Sequence, residues 1–179
     1  MSVEQKQQRV VLTGFMGAGK STVAAALARR LNCRAFDLDE IISQHERQSV
    51  PALINGAGEE QFRATETRFL RIVLENKTAS IIALGGGAWM LERNRALLKE
   101  HDCLTVWLDA PFELCWQRIS SAKDERPLAR DRQSARRLYD ERRPLYELAD
   151  LRISASDDKS ADDVALEIIQ ALRQGRTES

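Results

Sequence analysis

A three-layer α/β/α fold around a parallel sheet is what this sequence predicts, on three observations. Short apolar runs rich in β-branched residues alternate with stretches whose apolar residues recur at helical spacing. These runs are apolar throughout rather than at every second position, as in strands covered on both faces. The first and third of them end in glycine, where a chain can turn sharply out of a sheet.

The elements follow in order. Arg9 to Thr13 is the first strand, and Val23, Leu27, Ala28 and Leu31 mark a helix from Lys20 to Leu31. Arg34 to Asp37 reads as a second short strand, with helical pattern resuming after Asp39 at Ile41 and Ile42. A break at Pro51 and a turn over Asn55 to Gly58 are expected before a long helix from Glu59 to about Asn76. Ala79 to Leu84 is the next strand and runs into Gly85-Gly86-Gly87. A helix through Asn94 to Leu98 precedes the strand Cys103 to Leu108, and Pro111 suits the first turn of another helix. Ser120 to Arg132 is charged, poor in apolar residues and holds Pro127, so a mobile surface segment is expected. A helix to about Ala149, the strand Leu151 to Ser154 and a last helix from Ser160 follow. Ser160 with Asp163 three residues on predicts a reciprocal N-terminal cap, and Gln174 to Ser179 is read as a frayed tail.

With 179 residues and no repeat, the chain is expected to form a single domain over 1–179. Its 27 basic and 27 acidic residues cancel, so no basic face recommends nucleic acid as a partner. Cys33, Cys103 and Cys115 stand apart with no paired spacing, as free thiols of a reducing compartment do. The polar stretch Met1 to Arg9 lacks an apolar core for a signal peptide, and no apolar run has the length of a membrane span. A soluble, cytoplasmic protein that does not engage a membrane is the expectation.

Gly14-Phe-Met-Gly17-Ala18-Gly19-Lys20-Ser21 fits G-x-x-x-x-G-K-[ST] and stands where that motif belongs, between a buried strand and an amphipathic helix. Gly14, Gly17 and Gly19 let the backbone curl until its N–H groups point inward as an anion nest. The helix N-terminus adds its positive dipole end, Lys20 would bridge the β- and γ-phosphates, and the Ser21 hydroxyl would bind Mg²⁺. ATP and Mg²⁺ are therefore the expected cofactors, held around Gly17, Ala18, Gly19, Lys20, Ser21 and Thr22.

Such a loop does not name the acceptor. Asp37 and Asp39 close the second strand, where two carboxylates two apart on extended chain would point together beyond the sheet's carboxyl edge. One can hold water on the metal and the other take a proton from an attacking hydroxyl; alone, such a pair is as often a helix cap. Arg63 and Glu66 lie three apart on one helix, so the acid can steady the guanidinium. Three consecutive glycines, Gly85 to Gly87, exceed what a turn needs and let bare backbone approach a ligand. Arg118, Arg126 and Arg142-Arg-Pro-Leu-Tyr146 supply later cations, and Arg126 inside the charged segment could close over the phosphates.

Together the ordered motifs GFMGAGKST, FDLD, GEEQFRATE, GGG, RPLA and RRPLY resemble shikimate kinase, from about Val10 to Leu172. The resemblance implies a central parallel five-stranded sheet in the order 2-3-1-4-5, a substrate-binding subdomain near 38–62 and a lid near 120–132. It implies ATP-dependent phosphorylation of the shikimate 3-hydroxyl, in aromatic amino acid biosynthesis, by an enzyme expected to be a monomer. Asp39 would bind the ring hydroxyls and act as base. Arg63 and Arg142 would hold the carboxylate; Arg142 is preferred to Arg143 because the family's arginine stands two before the proline. Gly85, Gly86 and Gly87 would border the acceptor. Lys20, Ser21 and, through water, Asp37 match the phosphate and metal positions. Arg126 matches the lid arginine and Arg118 the one stacking on adenine, beside the backbone of Ser156 to Lys159. Glu46, Pro51, Ile54 and the bulky Trp89-Met90 depart from the family's pattern around the acceptor. A gluconate-type sugar acid kinase and a catalytically silent nucleotide-binding module are the alternatives.

Overall fold

The computed structural model describes residues 8–76, 80–122 and 131–174. Five strands form one parallel sheet: β1 (Val10–Thr13), β2 (Ala35–Asp37), β3 (Ile81–Ala83), β4 (Leu104–Asp109) and β5 (Leu151–Ser154). Their order across the sheet is β2-β3-β1-β4-β5, with Val10 beside both Ile81 and Leu104 in the register. The expected order and parallel pairing are both realised. The central strands are apolar along their length because helices cover both faces: Val10, Val11, Leu12, Ile81, Ile82, Val106 and Leu108 are all buried.

The helices are α1 (Lys20–Leu31), α2 (Leu38–Glu46), α3 (Val50–Ala57), α4 (Glu59–Glu75), α5 (Glu92–Glu100), α6 (Phe112–Ser121), α7 (Arg132–Tyr146) and α8 (Ala161–Gln174). A single 3₁₀ turn, Ala88–Met90, follows the triple glycine. The cap before α8 forms in both directions: Ser160 N donates to Asp163 Oδ2 at 2.9 Å, and Asp163 N to Ser160 Oγ at 3.1 Å.

Several expectations are corrected. Pro51 does not break the chain. The Ser49 hydroxyl caps α3 by accepting from Ala52 N at 3.3 Å, and Pro51 occupies the first turn, where its missing N–H costs nothing. Asn55 and Gly56 accordingly lie inside a helix, and only Gly58, at φ 87°, ends it. Pro111 is the N-cap of α6 rather than part of its first turn. Of the segment 120–132, Ser120 and Ser121 end α6, while Asp131 caps α7 through Ser134 N at 2.8 Å. Residues 123–130, with Arg126, lie outside the described residues.

Three of the departures also find structural roles. Glu46 meets Arg68 at 2.7 Å and ties the end of α2 to α4. Trp89 is buried, its indole N–H donating to Leu145 O at 2.7 Å, so it braces the end of α7 instead of crowding the site. Ile54 packs half-buried against the core from α3.

Candidate functional site

Parallel strands deliver their carboxyl ends to one edge, so the loops after β1, β2 and β3 meet there. After β1 the chain coils through Gly14–Gly19 into α1. Gly17 has φ 79°, and a Cβ on it would stand 2.7 Å from the Cys115 carbonyl oxygen; α6 packs too tightly against the loop for any other residue. Burial pushes the Cys115 thiol beside it up to about 11, so it stays protonated there. The first turn of α1 holds no acidic residue, and its Gly19 cap offers no side chain to the leading N–H groups. Those donors and the helix dipole make an anion site of the kind phosphates occupy.

The Lys20 ammonium bends across the loop to the carbonyls of Gly14 and Phe15, 2.9 Å from each. Arg118 donates to Gly17 O at 3.1 Å, laying an exposed guanidinium over the outer side of the same loop. Ala18 is buried beneath it and Thr22 is exposed on the first turn of α1. The Ser21 hydroxyl donates to Asp37 Oδ2. That contact brings one hydroxyl and one carboxylate together beside the anion site, the hard oxygen donors that Mg²⁺ takes along with phosphate and water.

Asp37 and Asp39 are not both on extended chain. Asp37 ends β2 and caps α2, its Oδ1 accepting from Asp39 N at 3.0 Å and Glu40 N at 3.2 Å, while Asp39 sits in the helix's first turn. The cap and the functional reading thus coincide. The corner splits the pair: Asp37 turns to Ser21, and Asp39 to the triple glycine.

The triple glycine is a wall of bare backbone. A Cβ on Gly85 would lie 2.5 Å from Asp39 Oδ1 and 2.8 Å from Glu66 Oε1. One on Gly87 would strike the Arg63 guanidinium, and one on Gly86 would come within 3.4 Å of Met16 N in the phosphate loop. From the other side Arg142, buried on α7, donates to Gly86 O at 3.1 Å. Asp39, Arg63 and Arg142 therefore converge on one glycine edge that abuts the phosphate loop. Arg143 turns away to pair with Asp109 at 3.3 Å.

Arg63 is held twice. Its Nη1 meets Glu66 Oε2 at 2.5 Å and its Nη2 meets Glu59 Oε1 at 2.9 Å. Glu59 escaped the sequence reading, although its spacing of four from Arg63 on a helix is the available signal. Glu66 is fully buried, and its Oε1 has no hydrogen-bond partner among the described residues. Burial pushes its carboxyl up to about 7, against the pull of Arg63 and with a further push from Asp39.

An anion-binding loop, a lysine across it, a paired hydroxyl and carboxylate, and an acceptor wall beside them define a P-loop kinase. Comparison with known proteins gives the narrower assignment. The family model for shikimate kinase matches residues 16–173, and the chain belongs to the shikimate kinase family. The shikimate kinase of Geobacter sulfurreducens is 40% identical over 177 residues, covering 97% of this chain and 96% of its own. That of Ruegeria pomeroyi is 38% identical, covering 91% and 84%. The shikimate kinase of Acinetobacter baumannii, solved in complex with shikimate, superposes with a TM-score of 0.86 at 34% identity, covering 94% of each chain. A sugar kinase from Janibacter, at 17% identity and a TM-score of 0.63, shares the fold alone. Neither the sugar acid kinase nor the silent nucleotide-binding module is favoured. Among the described residues, no helix is long and apolar enough to cross a membrane.

Proposed function

We propose that this kinase transfers the γ-phosphoryl group of ATP to the 3-hydroxyl of shikimate, within a single cytoplasmic domain serving aromatic amino acid biosynthesis. The observation that carries the reading is the convergence of Asp39, Arg63 and Arg142 on the glycine edge beside the phosphate loop. A carboxylate at Gly85, followed by guanidiniums at Gly86 and Gly87, suits an acceptor with hydroxyls at one end and its own carboxylate at the other.

In this reading the phosphates lie in the nest of loop amides at the start of α1, and Lys20 leaves its carbonyl contacts to follow the transferring group. Ser21 and Asp37, the latter through water, would hold Mg²⁺, which when bound neutralises charge on the β- and γ-phosphates. Arg63 and Arg142 grip the acceptor carboxylate, Arg63 already steadied by Glu59 and Glu66. Asp39 binds the ring hydroxyls and takes the proton that leaves the attacking oxygen. Gly85 to Gly87 would border the acceptor, their lack of side chains letting Asp39 and Arg63 lie directly against the backbone. Arg118 stacks on the adenine, near the backbone of Ser156 to Lys159. Arg126 keeps the lid role implied by the resemblance, within a lid near 120–132, and the substrate-binding part spans about 38–62.

Asp39→Asn tests the assignment. The amide keeps the shape and cannot take the proton, so kcat should fall about 10²- to 10⁴-fold while the ATP KM stays near wild type. Unchanged kcat with weakened ATP binding would place Asp39 on the nucleotide and refute the role.

A further inference from the structure

The end of α7 contributes a second side chain to the glycine wall. Tyr146 lies one helical turn beyond Arg142 and is 2% exposed. Its hydroxyl donates to Gly86 O at 2.7 Å, the same carbonyl that accepts from Arg142 Nη1 at 3.1 Å. Burial pushes the phenol up to about 12, against the pull of the Arg142 guanidinium near it. The hydroxyl therefore keeps its proton at neutral pH and remains a donor.

The ring behind this hydroxyl is fixed independently. Trp107 of β4 stacks on Tyr146 with centroids 6.2 Å apart and planes 20° from parallel. Trp107 is in turn flanked by the guanidiniums of Arg143 at 5.3 Å and Arg152 at 4.9 Å, both paired with Asp109. Packing alone would be met by phenylalanine. The hydroxyl adds its bond to Gly86 O, the carbonyl that Arg142 shares, which places its contribution at the acceptor edge.

We propose that Tyr146 is a positioning residue for the acceptor: its hydroxyl and the Arg142 guanidinium share the Gly86 carbonyl, which locks the clamp arginine to the glycine wall. Both lone pairs of that carbonyl are used, so neither the arginine nor the peptide can rotate without breaking a bond to the other. This rests on the reading of Arg142 as a carboxylate clamp.

The test is a kinetic cycle of Tyr146→Phe, Arg142→Ala and the double variant, read as shikimate KM, ATP KM and kcat. Tyr146→Phe should raise the shikimate KM about three- to tenfold, the loss expected for a buried hydrogen bond between neutral groups. ATP KM should stay within about twofold, and in the Arg142→Ala background the same change should add less than about twofold. Trp107→Phe, which trims the stack and spares the hydroxyl, should leave the shikimate KM within about twofold. An unchanged shikimate KM in Tyr146→Phe, while Arg142→Ala raises it, overturns the inference and leaves the clamp standing. An unchanged KM in Arg142→Ala overturns the clamp and the inference together. Equal rises in both backgrounds, a parallel rise in ATP KM, an equal rise in Trp107→Phe or a Tyr146→Phe chain that does not fold would each assign Tyr146 to the fold alone.

Discussion

Replacing Gly87 with alanine isolates the geometry of the acceptor clamp. Gly87 has φ −104° and ψ −16°, a conformation any residue adopts, so alanine introduces no backbone strain. The added Cβ would nevertheless stand 2.5 Å from Arg63 Nη1, where ordinary contact begins at 3.4 Å. The guanidinium must retreat by about 1 Å, and as the tip of a long side chain it can do so without disturbing the core. That retreat carries it off the position at which Glu59 and Glu66 hold it. A charge-assisted contact of this kind contributes about 2–3 kcal/mol, which is about 30- to 140-fold in affinity. Steady-state kinetics with ATP saturating should therefore show the shikimate KM raised by that factor, with ATP KM nearly unchanged. A Gly87→Ala enzyme with wild-type shikimate KM would show that the Arg63 position does not govern acceptor binding.

Two further outcomes are expected. Lys20→Ala should abolish turnover, at least 10²-fold, without loss of fold, because its ammonium acts where charge develops; turnover near wild type would exclude the phosphate-loop mechanism. Glu66→Gln should change how stability depends on pH. The folded chain binds the Glu66 proton up to about pH 7, while the unfolded chain releases it near the ordinary value of 4.5. Its contribution therefore favours folding at low pH and is lost as pH rises through that window. The variant should gain on wild type by up to about 3 kcal/mol between those limits, measured by denaturant unfolding at several pH values. A wild-type advantage that grows as pH rises would contradict the sign.

Much of the fold is legible in particular residues of the sequence. The α1 start at Lys20 and the cap at Ser160 are legible from local pattern or from a motif with strict context, whereas the strand order enters only through the family resemblance. The α3 helix is not legible. Pro51, Asn55, Gly56 and Gly58 carry turn chemistry, and only the Ser49 cap and the fit of proline to a first turn overrule it. The Asp37–Asp39 pair was read on the right edge of the sheet but on the wrong backbone, because the cap that bends it is made by Asp37 itself. The triple glycine announced close approach without saying by what; the answer, two carboxylates and a guanidinium from α2 and α4, needed the fold. Trp89 looked like bulk at the site because sequence adjacency hides direction, and its indole N–H points to α7.

The identity of the acceptor is decided by a purified-enzyme assay of ADP release against shikimate, gluconate and quinate, with phosphorus NMR of the product. Turnover with shikimate should stand far above the other two, with phosphate on the 3-hydroxyl. Turnover with gluconate alone, or phosphate on another shikimate oxygen, would contradict it.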